Sequence, residues 1–517
     1  MNKDELFSEA PYYNGYKEIR NQLRGYDPAK LIGMCLHFLH KPYSEPIEYV
    51  KRHPWCVLLL IKWILVDDQF DNRNRPAPSE TQTIRLIQKV IDLSKKVRLP
   101  SQHDYIALFL RAMVFQQILY QQNSSITQSA RQMLYFGGLD ESHYLAQTFK
   151  ARTGLSLNRF LELSLALHVA FVDNPVRHRI GYGWFKDFVR EGESADITRF
   201  LGLLSAPLTT VRASLRARDA RTQKNDRVPR GAYEYVEQTP LMQTPLLLVA
   251  HDEYVVIDHR LLINCLENFV YWTLREFHVQ NFMSHFGPIF EEYVRLAVDY
   301  TRLGYRDEAD VKALLGAGKQ GQNLIDFVIA DGDANVFVEA KAAEMNYRAT
   351  VTHDPEELAK LLDASLLKAI KQANRVIADL AQKDSHDQVF KPKSENYLLV
   401  VTYANTNIGN GRALADSVGL AAIEAFIADH PGGLQVPIEN MYFLTIHEFE
   451  QLVAHVAAGS TGLVEALKRA KAADADPTTS SMVFLQHLHA WGMNTAGPDY
   501  LVERTTRALD KIAEAFE

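Results

Sequence analysis

Apolar positions recur at helical spacing through most of the first 280 residues. The pattern then shifts to short alternating runs broken by turns. Recurrence near 3.6 residues predicts helices over Leu31–Leu39, Trp55–Val66, Thr83–Leu93, Asp104–Gln122, Thr127–Gly137 and Asn158–Val172. Two strand-like runs interrupt them, Leu246–Ala250 and Tyr254–Ile257, about the turn His251-Asp252-Glu253. Further on, a strongly apolar helix carries Gly287-Pro288-Ile289-Phe290-Glu291-Glu292-Tyr293-Val294, and a short strand is expected near Leu303–Asp307. Leu324–Ile329 and Val336–Lys341 flank Asp331-Gly332-Asp333, the chemistry of a tight hairpin, so they read as adjacent antiparallel strands. Leu361–Leu380 is an amphipathic helix with Ala369, Ala373, Val376, Ile377 and Leu380 as its apolar stripe. The strand-like runs Asn396–Tyr403 and Met441–Ile446 are separated by the helix Arg412–Asp429, a βαβ pattern that suits a parallel pair. Helices over His447–Val456, Leu463–Ala473 and Pro498–Phe516 close the chain. The fold class is multidomain α and α/β. Residues 1–280 form a large, mostly helical region, 281–457 an α/β domain, and 458–517 a C-terminal helical extension.

The hairpin contains a conflict. Asp326, Glu339 and Lys341 stand among Ile, Phe and Val, and side chains alternate along a strand, so Glu339 and Lys341 leave the same face. Burying charge there is costly unless it is paired or binds a metal, and such a break with the local pattern marks a site. Phosphodiester hydrolysis fits these groups. Two carboxylates at strand ends, with the backbone carbonyl of Ala340 between the charged positions, offer the oxygen ligands that Mg²⁺ or Mn²⁺ takes. Lys341 adds a point charge for the attacking water or the phosphate.

The Asp…Glu-x-Lys hairpin resembles the core of the PD-(D/E)XK nuclease superfamily, which includes restriction and repair endonucleases. The resemblance covers about a third of the chain, residues 281–457. It implies a restriction-endonuclease-like αβββαβ core with a mixed sheet. It also implies that Glu291, on the first helix, is a further acid at the metal, with Glu292 its solvent-facing neighbour. On the helix after Glu-x-Lys it points to Lys371 and Gln372, with Lys368, as phosphate contacts. Lys368, Lys371, Gln372 and Arg375 share one helix face by spacing. The Pro-Asp pair of the family name is absent, and Leu324-Ile325-Asp326 stands in its place. The Asp, not the Pro, is the metal ligand. Alanine at Asp326, Glu339 or Lys341 is expected to abolish cleavage with little loss of fold.

The remaining features set bounds. The 517 residues are 47% hydrophobic and 23% charged, a globular composition large enough for two or three domains. Three cysteines, Cys35, Cys56 and Cys265, with no C-x-x-C pair, argue against a disulfide framework and for a reducing cytosol. The start of the chain lacks the basic and apolar stretches of a secretory leader, and the longest apolar run, Trp55–Val66, is too short to span a bilayer. No membrane role is expected. His168 and the His487/His489 pair read as structural, and Tyr12, Tyr13 and Tyr16 as packing. The net charge of −7 is unusual for a constitutive nucleic-acid binder. The best basic stretch is Arg212–Arg230, either a phosphate-tracking patch or a solvated linker. No helix-turn-helix, zinc finger or P-loop occurs.

Three readings stand. The leading one is a Mg²⁺-dependent nuclease acting on DNA or RNA, tRNA included. It would be a toxin-like antiviral effector whose N-terminal region senses a trigger such as a phage protein. The second is a restriction endonuclease that reads DNA sequence, probing both strands as a homodimer. The third is a catalytically inactive nucleic-acid- or protein-binding module.

Overall fold

The computed structural model describes residues 9–97, 106–121, 126–173, 177–188, 194–224, 231–316, 324–342, 344, 349–350, 352, 354–382, 390–428, 433–494 and 497–516. The chain forms two compact units. The first holds residues 1–101, 112–279 and 503–517; the second holds 102–111 and 280–502. Residues 458–502 therefore belong with the α/β unit.

The first unit is helical with one small sheet. Its centre is the helix Pro54–Val66, buried along its whole length. Such a helix has no solvent face on which to place a charge, so Lys62 is neutralised in place. Its Nζ lies 2.7 Å from Glu234 Oε1, and Trp63 Nε1 donates to Glu234 Oε2 at 3.0 Å. Four short strands, β1 (Arg179–Gly181), β2 (Ser205–Pro207), β3 (Leu246–Ala250) and β4 (Glu253–Val256), form a sheet of order β1-β4-β3-β2. The β3–β4 hairpin turns through Asp252, whose φ is 56°. Tyr12 and Tyr16 are buried and Tyr13 is exposed. Cys35, Cys56 and Cys265 are free and buried.

Arg212, Arg216 and Arg218 of the basic stretch lie on the helix Leu208–Lys224, where neighbouring acceptors hold them. Arg212 donates to the Leu65 and Asp67 carbonyls at 3.0 and 3.1 Å. Arg216 donates to the Asp67 carbonyl, and Arg218 reaches Glu237 at 2.6 Å. Arg212 and Arg216 thus close the C-terminal end of the helix Pro54–Val66, and Arg218 balances the buried Glu237. Arg227 and Arg230 lie outside the described residues.

His168 is fully buried, with Nδ1 2.9 Å from Ser129 Oγ, and burial pushes it down to about 4. The unfolded chain, at about 6.5, then binds the extra proton. Stability is complete above that pH and drains away as pH falls toward 4, by roughly 3 kcal/mol. His168→Gln does not titrate in this window. The melting temperatures of wild type and His168→Gln, measured from pH 7 to 4.5, should show the wild type losing ground on acidification. A constant difference would remove His168 as the cause.

The second unit is built on a five-stranded mixed sheet of order β5-β6-β7-β8-β9: Tyr305–Asp307, Phe327–Asp331, Ala334–Lys341, Glu395–Thr402 and Met441–Thr445. The β5–β6 and β6–β7 pairs are antiparallel, and β7–β8 and β8–β9 are parallel. Gly332, at φ 54°, makes the tight β6–β7 turn. One face carries Val328, Phe337, Leu398, Val400, Met441 and Phe443. They share a core with Leu366, Ile370, Ala373, Val376 and Ile377 of the covering helices. The other face meets the helix Val279–Tyr300. Arg295 lies over the Phe327 ring at 5.2 Å, and Phe286 and Phe290 pack on Tyr403 at 5.4 and 6.2 Å. Pro288 stands inside that helix.

Two expected helices are subdivided. Leu361–Leu380 resolves into an α-helix Pro355–Leu362, a π-turn Asp363–Leu367 and an α-helix Lys368–Ala381. The helix expected over Arg412–Asp429 breaks at Gly419, φ 88°, into Gly411–Val418 and Leu420–Ile427. His487 lies on the helix Phe484–Ala490, with Nε2 3.0 Å from Asp474 Oδ1, a structural contact. Among the described residues no helix is long and apolar enough to cross a membrane.

Candidate functional site

The site lies at the C-terminal end of β7. Glu339 and Lys341 are two and four residues past Phe337, so they leave the face covered by the Lys368–Ala381 helix. Residue 326 is one step before β6, with the parity of Val328, and enters the same space. Asp326 Oδ2 accepts from the Ala340 N–H at 2.7 Å. The Lys341 carbonyl accepts from Tyr403 N–H on the β8 side. Backbone groups alternate along a strand, so the Ala340 carbonyl points the other way, toward Asp326. All three oxygen sources named from the sequence therefore converge on one end of the hairpin.

Lys341 Nζ donates to Glu339 Oε1 and, at 3.1 Å, to Gln372 Oε1. Gln372 is in turn fixed because its Nε2 donates to the Leu324 carbonyl at 2.5 Å. Glu339 is 3% exposed, and its Oε2 is buried without a hydrogen bond of normal geometry. A buried carboxylate is expensive to maintain, and its place among other acids suits a position where a cation or donor belongs.

Electrostatics point the same way. Burial holds the Asp326 carboxyl well above the usual carboxylate range, and the charges of Glu339 and Glu291 add to the effect. Burial raises Glu339 as well, opposed first by Lys341. Two acids that resist ionising beside each other become favourable as carboxylates once a divalent cation is present.

Glu291 is half-buried and lifted by desolvation and by Glu308, whereas Glu292 is exposed and paired with Arg295 at 3.1 Å. The helix thus directs Glu291, and not Glu292, toward the acids. Glu291→Ala is expected to lower any activity of this site at least tenfold, with Glu292→Ala close to wild type. Equal effects in a rate assay would reverse this assignment.

Of the phosphate-contact candidates, Gln372 joins the site directly. Lys371 carries its ammonium over the Phe426 ring at 5.5 Å, and Lys368 is exposed. Spacing alone grouped them on one face, but the side chains part. Glu308 and the Leu324 backbone belong to the network and carried no signal in the sequence, since an acid in a first helical turn is ordinary.

The donor set is hard oxygen: the buried Glu339 carboxylate, the half-buried Asp326 carboxylate, a carbonyl and a third carboxylate nearby. Among the described residues no three His, Cys, Asp or Glu side chains converge into a ready cage. Mg²⁺ does not require one, because it is held by one or two carboxylates and keeps several waters. No family model, characterised protein or solved structure matches this chain.

Proposed function

We propose that the chain is a metal-dependent nuclease of the PD-(D/E)XK type, and that its first unit serves an antiviral, growth-arresting role by sensing a trigger. The observation that carries the reading is the convergence of Asp326, Glu339, Lys341 and Gln372 at the end of one hairpin, with the Glu339 carboxylate buried there. The strand order β5-β6-β7-β8-β9, two antiparallel pairs followed by two parallel ones, supports it, being the order expected of an αβββαβ restriction-endonuclease-like core.

Each residue has a task under this reading. Asp326, Glu339 and the Ala340 carbonyl would hold Mg²⁺ or Mn²⁺, with Glu291 reaching it directly or through water. When bound, the cation lowers the pKa of water and offsets charge on the scissile phosphate. Lys341 would supply a positive charge to the attacking water or a phosphate oxygen. Gln372 holds the Lys341 ammonium by its amide oxygen and so fixes its direction. Low dielectric around these groups strengthens each interaction.

The test of the chemistry alone is hydrolysis of a simple phosphodiester such as bis(p-nitrophenyl) phosphate with Mn²⁺. Activity lost in EDTA and in Asp326→Asn supports the reading; none in the wild type counts against it. For the effector role, overproduction should arrest bacterial growth, and Asp326→Asn should not.

One observation favours a second reading. Lys341 already neutralises Glu339, so the cluster is self-satisfied enough to serve a catalytically silent binding module. Nucleic-acid binding unaffected by Mg²⁺ and by Asp326→Asn would favour that reading.

A further inference from the structure

Leu324 is held at both of its backbone polar groups by side chains from two different helices. Its carbonyl accepts from Gln372 Nε2 at 2.5 Å, and its N–H donates to Glu308 Oε1 at 2.8 Å. Leu324 and Ile325 are both fully buried, and two residues further on the chain delivers Asp326. No strand ladder holds this stretch, because β6 and its pairing with β5 and β7 begin only at Phe327. The Asp326 carboxylate accepts from Ala340 N–H, and the clamp on Leu324 holds the backbone two residues before it.

Glu308 is itself braced. Its Oε2 lies 2.8 Å from Lys312 Nζ, one turn along the helix Glu308–Leu315. That helix starts at Asp307, whose side chain accepts from Asp310 N–H at 2.9 Å and from Arg295 at 3.0 Å. Arg295 lies one turn beyond Glu291 on its own helix. A continuous set of bonds thus runs from the helix of Glu291, through Asp307 and the helix of Glu308, to Leu324, Gln372 and Lys341.

We infer that Glu308 is a positioning residue that sets the Asp326 carboxylate through the Leu324 backbone. This rests on the reading of Asp326 as a metal ligand. An acid at a helix start needs no such role, since the helix dipole alone favours it. What separates the two is reach, because only a side chain of the length of Glu or Gln brings an acceptor to Leu324 N–H. Charge is not required for that bond.

Two conservative variants of the full chain divide reach from charge. Glu308→Asp keeps the charge and withdraws the acceptor; Glu308→Gln keeps the acceptor and removes the charge. Mn²⁺ binding is followed by calorimetry, and amide exchange of the peptide containing Leu324 by mass spectrometry. Glu308→Asp should weaken Mn²⁺ binding about 10-fold or more and speed exchange at Leu324, while Glu308→Gln stays within about threefold of wild type in both. If Glu308→Asp binds as wild type while Asp326→Asn does not bind, the positioning role is overturned and the metal site stands. If Glu308→Gln is as weak as Glu308→Asp, charge is the cause and the positioning role is again overturned. A wild type that binds no Mn²⁺ refutes the metal site itself, and the role of Glu308 falls with it.

Discussion

Asp326→Asn should lose metal-dependent cleavage by roughly a thousandfold and yet melt higher than the wild type. The asparagine has the same shape, and its carbonyl oxygen can still accept from Ala340 N–H, at 2.7 Å in the wild type. What disappears is a charge that is desolvated and faces Glu339 and Glu291. The folded-state value of Asp326 lies above that of the unfolded chain, at about 3.9, so within that window the folded protein binds more protons. Stability then falls as pH rises through the window. The two proteins should melt together near pH 4 and separate as pH rises toward 8, with the variant higher. Mg²⁺ should raise the wild type and leave Asp326→Asn unmoved, because a ligand stabilises only the state that binds it. Thermal melts over this pH range, with and without Mg²⁺, check all three expectations. A wild type that melts above the variant at pH 8 without metal would show that Asp326 is a structural acid.

The second large effect is that of Lys341→Ala, and here geometry divides what sequence reasoning had joined. From sequence, alanine at Asp326, Glu339 or Lys341 was expected to leave the fold nearly intact. In the structure Lys341 neutralises a glutamate that is 3% exposed. Removing it strands a buried charge, which costs about 3–5 kcal/mol when a buried pair is broken from one side. Lys341→Ala should therefore lower both the melting temperature and the rate, the rate by about 10²- to 10³-fold. Adding Glu339→Gln to Lys341→Ala should restore much of the stability and none of the activity. If the double variant is no more stable than Lys341→Ala, Glu339 is not the source of the loss.

The hairpin was legible because three charges sat where an apolar strand pattern forbade them, and because Asp331-Gly332-Asp333 supplied its turn. The partner helix was legible from its apolar stripe, and Gln372 with it. The division between Gln372 and Lys371 was not, since periodicity gives a face and the Phe426 ring decides where the longer side chain goes. The π-turn at Asp363–Leu367 leaves the helical period intact enough to hide. Strands β1 and β2 span three residues each, too short for an alternating pattern to register. Arg212 and Arg216 read as surplus charge because their acceptors, the carbonyls near Asp67, stand some 145 residues away in the chain. Glu308 illustrates the same limit at the site. Its role depends on a backbone amide brought to it by folding, and nothing in the local sequence announces that.

Asp326, Glu339 and their neighbours are proposed to hold a cation that cuts nucleic acid. The most direct measurement incubates purified protein with duplex DNA, single-stranded DNA, total RNA and tRNA in Mg²⁺, in EDTA, and with Asp326→Asn in place of the wild type, in buffer and in phage-infected lysate. The account predicts that one substrate class is cleaved by the wild type in Mg²⁺ and spared in both controls. Survival of every substrate under all conditions, or cleavage that persists in EDTA or in Asp326→Asn, would contradict it.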